Sequence, residues 1–234
     1  MPATVRFVAP ILPQKRVYST QVRTTLSIAP VTADRIDLVL FDLGGVLIRP
    51  GGVASMRALS GIDSDEALWT RWLGCPWVQR FEAGRCSPDE FAAGVVADWE
   101  LELEPAAFLQ AFGGWPEPPF EGALELVEAV QASVPAGFLS NMNSFQWTAN
   151  YEGIPLTDAF AFRFLSFELG LVKPDAAVFE AVAARLPVPR HRVLFLDDNA
   201  VNVEAAAATG FAVRHVRGVQ EARGALVETG VLVA

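Results

Sequence analysis

The chain has 234 residues, 52% of them hydrophobic and 19% charged, which is enough apolar material for a large core and excludes a disordered or low-complexity protein. Its formal net charge of −9 argues against a nucleic-acid-binding or anionic-membrane surface, and no apolar run approaches the length of a membrane span. Two cysteines, Cys75 and Cys86, supply neither a disulfide framework nor a zinc ligand set, so a reducing, cytoplasmic compartment is expected.

Residues 1–35 hold Arg6, Lys15, Arg16, Arg23 and Arg35 against Asp34 alone, so this stretch carries +4 and the remainder −13. With four prolines and many Ser and Thr, it reads as an N-terminal extension outside the folded part. An Arg-rich, acid-poor leader also matches an organelle transit peptide, the alternative localisation. It lacks the apolar stretch of a secretory signal, so export is not expected.

From residue 36 the pattern becomes regular. Ile36–Phe41 is a continuous apolar run, too short for a helix, closed by Asp42 and Gly44–Gly45; it reads as a strand buried on both faces. Residues 51–119 hold Trp69, Trp72, Trp77, Trp99 and Trp115, five of the six tryptophans, and read as entirely helical. Within them Ser87-Pro88-Asp89-Glu90 predicts a helix start, with Ser as N-cap and Glu completing a capping box. The aromatics of this stretch are expected to form its core, because a small helical module needs large side chains to bury enough area.

Residues 122–132 have helical spacing, Ala136–Leu139 reads as a second buried strand ending in Ser140–Asn141, and Phe160–Leu165 as a third. Asp175–Leu186 is predicted helical, with Pro174 in a favourable position just before it. Val193–Leu196 is a further buried strand ending in Asp197–Asp198. Ala200–Thr209 is a helix stopped by Gly210, and Phe211–Val216 is the last strand. Strands alternating with helices predict an α/β fold, a doubly wound parallel sheet built from residues 36–50 and 120–234, with the helical stretch 51–119 inserted after the first strand.

Three predicted strands end in polar residues: Asp42, Ser140, and Asp197 with Asp198. In open parallel sheets the carboxyl ends of the strands form the ligand crevice. One such Asp is as easily a turn residue as a functional one, but two carboxylate-bearing strand ends and a Ser-Asn end favour a shared site. Carboxylates gathered at one edge repel unless a cation is bound, and oxygen ligands without His or Cys point to a hard ion, Mg²⁺ above all. Lys173, one of only two lysines, precedes a predicted helix and reads either as a solvated loop charge or as part of that site.

Phe41-Asp42-Leu43-Gly44-Gly45-Val46-Leu47, Leu139-Ser140-Asn141, Val172-Lys173-Pro174 and Phe195-Leu196-Asp197-Asp198-Asn199 resemble the four ordered motifs of the haloacid dehalogenase-like superfamily. Separations of 98, 33 and 25 residues between Asp42, Ser140, Lys173 and Asp198 fit that order, and the insert fits the helical cap of the family's first subclass. The resemblance covers about residues 36–220. It implies a Rossmann-like core, a phosphorylated small-molecule substrate, and Asp42 as the nucleophile that forms an aspartyl-phosphate. It further implies Mg²⁺ held by Asp42, the Gly44 carbonyl and Asp198, with Asp197 and Asn202 orienting those ligands. Ser140, Asn141 and Lys173 would hold the phosphate oxygens.

One position departs from the family pattern. Most phosphatases of the superfamily carry a second Asp two residues after the nucleophile, a general acid and then base; here it is Gly44. That help is typically worth about 10²–10⁴-fold. A good leaving group such as an anomeric sugar phosphate needs little protonation, or another group supplies the proton. A branch with Asp-Leu-Gly at this place resembles this chain, also in Phe81-Glu82-Ala83-Gly84, and includes a glucose-1-phosphatase. The alternatives are a catalytically impaired binding protein, or a 2-haloacid dehalogenase, against which the Asp197–Asp198 pair counts.

His191 and His215 adjoin no motif and are expected to be structural or at the surface. Cys75 and Cys86 are expected to pack inside the insert. Asn143 reads equally as a substrate contact and as a helix cap; Trp77, Arg80 and Glu82 read as packing or surface residues ahead of crevice-lining ones. The sequence is expected to encode a Mg²⁺-dependent phosphatase for a small metabolite, a sugar phosphate first. It would act as a monomer or homodimer, without a nucleic-acid or membrane partner.

Overall fold

Strand β1 spans Leu38–Phe41, with all four side chains buried. The computed structural model describes residues 35–233, so the readings made for residues 1–34 lie outside the described residues. Four more strands follow: β2 (Ala136–Ser140), β3 (Phe162–Leu165), β4 (Val193–Asp197) and β5 (Ala212–His215). All neighbours pair in parallel, in the order β3-β2-β1-β4-β5. Alternate side chains of a strand leave opposite faces of the sheet. Val39 and Phe41 accordingly join one hydrophobic cluster and Leu38 and Leu40 the other.

Between β1 and β2 lie α1 (Val53–Ser60), α2 (Asp65–Leu73), α3 (Pro76–Glu82), α4 (Pro88–Asp98), α5 (Pro105–Gly113) and α6 (Ala123–Gln131). Beyond β2 come α7 (Ser144–Gln146), a π turn at Trp147–Tyr151, α8 (Pro155–Asp158), α9 (Ser166–Leu169), α10 (Ala176–Ala183), α11 (Ala200–Ala208) and α12 (Gly218–Glu228). Helices α6 and α12 pack Leu126, Val127, Val130, Ala222 and Leu226 onto one face of the sheet. Helices α10 and α11 pack Val178, Phe179, Val182 and Ala206 onto the other. The fold is an α/β doubly wound parallel sheet with a helical insert after its first strand.

The insert, α1–α5, has a hydrophobic cluster of its own, built around Phe81, Phe91, Phe108 and Phe112, which the tryptophans Trp72, Trp99 and Trp115 join. Cys75 and Cys86 sit in it as expected. The predicted capping box is present. Glu90 N–H donates to Ser87 Oγ at 3.2 Å, and Ser87 N–H donates to the Glu90 carboxylate at 2.8 Å. Helix does not fill the whole stretch. After Gly113 the chain runs irregularly back to the sheet, where Phe120 N–H meets Leu47 O at 2.9 Å.

The helix expected over Asp175–Leu186 is shorter at both ends. Asp175 is its N-cap, with Oδ1 accepting from Ala177 N–H at 3.0 Å, so Pro174 lies outside the helix. At the other end Pro187 and Pro189 follow, and a residue before proline is pushed out of the helical region.

Candidate active site

The chain crosses from β3 on one side of β1 to β4 on the other, so the strand order reverses between β1 and β4. A crevice opens outside the carboxyl ends of strands at such a reversal. Asp42 immediately follows β1 and Asp197 ends β4, so both carboxylates are delivered to that crevice by the sheet itself. Carboxylate oxygens of Asp42, Asp197 and Asp198 come within 4.8 Å of one another.

Lys173 stands among them, 96% shielded from solvent, with Nζ 3.0 Å from Asp42 Oδ1 and 2.7 Å from Asp197 Oδ2. Of the two readings left open for this lysine, a solvated loop charge is excluded. Its backbone is held too. Asn141 Oδ1 accepts from Lys173 N–H at 2.8 Å, and Asn141 Nδ2 donates to Lys173 O at 3.0 Å. Burial by itself would depress the lysine, but Asp197 and Asp42 outweigh it and push its pKa up to about 12, so it is a permanent cation. Burial, joined by the other two carboxylates, pushes Asp42 above the usual range against the pull of Lys173.

Asp197 and Asp198, adjacent in sequence, have different surroundings. Asp197 is fully buried and its oxygens are committed to protein donors. Asn202 Nδ2 reaches both at 3.1 Å, Asn199 N–H donates at 2.8 Å, and Lys173 completes the set. The Asp198 carboxylate accepts no hydrogen bond from another described residue and lines the cavity. Burial and Asp197 raise its pKa. It lies against Gly45, where φ is +71° and an added Cβ would stand 2.1 Å from Asp198 Oδ2; only glycine fits there.

Asp42, Gly44, Ser140, Asn141, Asn143, Lys173, Asp198 and Asn202 all contribute to one cavity of about 680 Å³, with Asp197 behind its wall. Ser140 is buried, its Oγ making, among the described residues, only a long 3.4 Å contact with Asn141 O. Asn143 is the N-cap of α7, with its side chain engaged by Gln146 at 2.9 and 3.1 Å, so the capping role is the one the structure displays. Trp77 and Arg80 pack against each other at 4.7 Å and lie away from the cavity.

The cavity also holds groups that the sequence reading did not assign to the site, Glu82 having been given crevice lining only as the less favoured alternative. His215, expected away from the motifs, places Nε2 2.8 Å from Asp198 O, because parallel pairing sets it in register with Asp197. Arg217 follows it into the cavity wall. Glu82, read as packing or surface, also lines the cavity, and burial pushes its pKa up to about 7 while Lys173 pulls it down. The only sequence signal for Glu82 is the Phe-Glu-Ala-Gly segment in which it stands.

A doubly wound sheet with an acidic, lysine-bearing crevice at its strand reversal defines a hydrolase-type α/β site. The family model for haloacid dehalogenase-like hydrolases matches residues 36–210, and the chain belongs to that family. It is 29% identical over 184 residues to a D-ribitol-5-phosphate phosphatase of Bacteroides thetaiotaomicron, covering 74% of this chain and 88% of that protein. A HAD family enzyme of the same organism, crystallised with magnesium and inorganic phosphate, superposes with a TM-score of 0.62 at 22% identity, over 76% of this chain and 93% of that one. The L-2-haloacid dehalogenase of Xanthobacter autotrophicus, with chloropropionic acid covalently bound, gives a TM-score of 0.57 at 23% identity and 85% coverage of both chains. These two structural likenesses concern the fold.

Proposed function

We propose that this hydrolase is a Mg²⁺-dependent phosphatase of a small phosphorylated sugar or polyol, with Asp42 as nucleophile. The observation that carries the reading is the all-oxygen acidic cluster of Asp42, Asp197 and Asp198 around Lys173. Three carboxylates against one ammonium leave a surplus of two negative charges in a largely buried site, a match for a hard divalent cation. Asp42, the Gly44 carbonyl and Asp198, whose carboxylate accepts no hydrogen bond from another described residue, are the residues that would hold Mg²⁺. When bound, the ion neutralises charge on the phosphate and keeps the Asp42 carboxylate ionised.

The chain's own residues do the rest. Asp42 attacks phosphorus to form the acyl-phosphate, and Lys173, Ser140 and the Asn141 N–H hold the equatorial oxygens where charge develops. Asp197 keeps the Lys173 ammonium in place, oriented in turn by Asn202 and the Asn199 N–H. The insert closes the crevice over the substrate as a cap. Trp69, Trp72 and Trp115 line a cavity sized for a small metabolite. Likeness to a ribitol-phosphate phosphatase supports a phosphorylated polyol or sugar as substrate.

The test is phosphate release from sugar phosphates, ribitol 5-phosphate and an aryl phosphate, each with Mg²⁺ and with EDTA. Release that needs Mg²⁺ and vanishes in Asp42→Asn, with the far-ultraviolet circular dichroism unchanged, is the expected result. Binding of phosphate esters without release would favour an impaired, ligand-binding protein instead. Halide release from a 2-haloacid without metal would point to the dehalogenase.

A further inference from the structure

The aspartyl-phosphate reading leaves one proton unassigned. When the ester bond breaks, the leaving oxygen takes the electron pair and needs a proton, yet Gly44 carries no side chain to give one. An added Cβ at Gly44 meets nothing within 4 Å, so the place where an acid could stand is open space. The cavity's other ionisable groups are poorly suited. Lys173 is locked between Asp42 and Asp197, and Arg49 and Arg217 do not deprotonate. The Tyr151 OH donates to Glu117 O at 3.2 Å, and burial pushes its pKa up to about 12. Asp198 belongs to the cation cluster. His215 is exposed and its Nε2 is tied to the Asp198 carbonyl.

Glu82 remains. It is the last residue of α3, on the insert, and its carboxylate has no hydrogen-bond or ion-pair partner among the described residues. Its position is nevertheless exact. Ser166 Oγ, completely buried, lies 2.6 Å from Glu82 O and also contacts Met142 O and N at 3.0 and 2.9 Å, which joins Glu82 to the end of β2. Gly84, at φ +65°, lets the chain approach Phe167, where a Cβ would stand 2.7 Å from the carbonyl oxygen, and Arg85 Nη2 donates to Gly170 O at 2.6 Å. Three contacts within four residues therefore latch the insert to the sheet at the point where Glu82 enters the cavity.

Resting on the function proposed above, we propose that Glu82 is the general acid and base of this site, supplied by the insert in place of the residue missing at position 44. In the first half-reaction Asp42 bonds to phosphorus, the phosphorus–oxygen ester bond breaks, and the leaving alkoxide takes the proton of Glu82. In the second, the Glu82 carboxylate takes a proton from the attacking water and the Asp42–phosphorus bond breaks. That step releases phosphate and restores both carboxyl groups. A pKa near 7 lets one group serve both halves at neutral pH.

The experiment compares wild type, Glu82→Gln and Glu82→Gln/Gly44→Asp on ribitol 5-phosphate, whose alkoxide is a poor leaving group, and on 4-nitrophenyl phosphate, whose phenolate is a good one. Glu82→Gln is expected to lose about 10²–10⁴-fold in kcat/KM on the alkyl ester, a quantity that covers the steps up to departure of the leaving group. The loss on the aryl ester should be at least about tenfold smaller, because less protonation is needed. The fall in wild-type kcat/KM on the alkyl ester above pH 7 should disappear in the variant, and Gly44→Asp should restore part of the lost rate. Equal losses in kcat/KM on the two esters, no loss on either, or an unchanged pH profile would overturn the assignment while leaving the phosphatase standing. Wild-type protein inert towards every ester would overturn both.

Discussion

Asp42, Lys173 and Asp197 form a buried chain of charges whose members cannot be removed one at a time without consequence. Lys173→Met strands two buried carboxylates, and breaking such a contact typically costs about 3–5 kcal/mol. The expected result is a clear drop in the urea midpoint, beyond the loss of turnover. Glu82 predicts the opposite sign. A carboxyl whose pKa is raised from 4.5 to about 7 in the folded state holds its proton more tightly there, so its stabilising contribution is present below pH 4.5 and lost as pH rises through 7. Glu82→Gln should therefore melt higher than wild type at pH 8, by at most about 3 kcal/mol, with the gain shrinking towards pH 5. A Tm difference that does not change between these pH values would show that Glu82 is not held protonated by its surroundings.

Among the elements, the insert illustrates how a small helical module secures its own core. Phe91 is fully buried, with rings of Phe81 at 4.3 Å, Phe112 at 4.9 Å and Phe108 at 5.9 Å. Phe91→Ala should cost about 3–5 kcal/mol, whereas Ser87→Ala, which removes only the α4 cap, should cost about 1 kcal/mol. Chemical denaturation of both variants checks the ratio. The aromatic spacing and the Ser-Pro-Asp-Glu start were legible in the chain because capping and helical burial act within a few residues. The ends of α10 were less legible, because two prolines and an Asp cap compete with the apolar pattern over the same turn.

For the molecule as a whole, a ligand that binds only the folded state stabilises it by mass action. Mg²⁺ at about 100 times its dissociation constant is expected to add about 2.7 kcal/mol. The shift in Tm should be lost in Asp198→Asn, which alters the one carboxylate of the cluster that accepts no hydrogen bond from another described residue. An unchanged wild-type Tm over a full Mg²⁺ titration would count against a cation at this cluster. Among the described residues no helix is long and apolar enough to cross a membrane.

The alternation of buried strands and amphipathic helices, the insert after β1 and the placing of Asp42, Ser140 and Asp197–Asp198 at strand ends were all written in local patterns. A parallel sheet turns these directly into a shared edge. Which side chains face one another across that edge was decided only in three dimensions. Asp197 and Asp198 are distinguished in sequence only by the family resemblance, whereas in the fold one is saturated by Asn202, Asn199 and Lys173 and the other is open to the cavity. Glu82 and Ser166 lie 84 residues apart, and His215 meets Asp198 through strand register. Periodicity and capping are forces of one or two turns' range. A cavity wall is assembled from segments brought together by core packing, and only the folded chain specifies those distances.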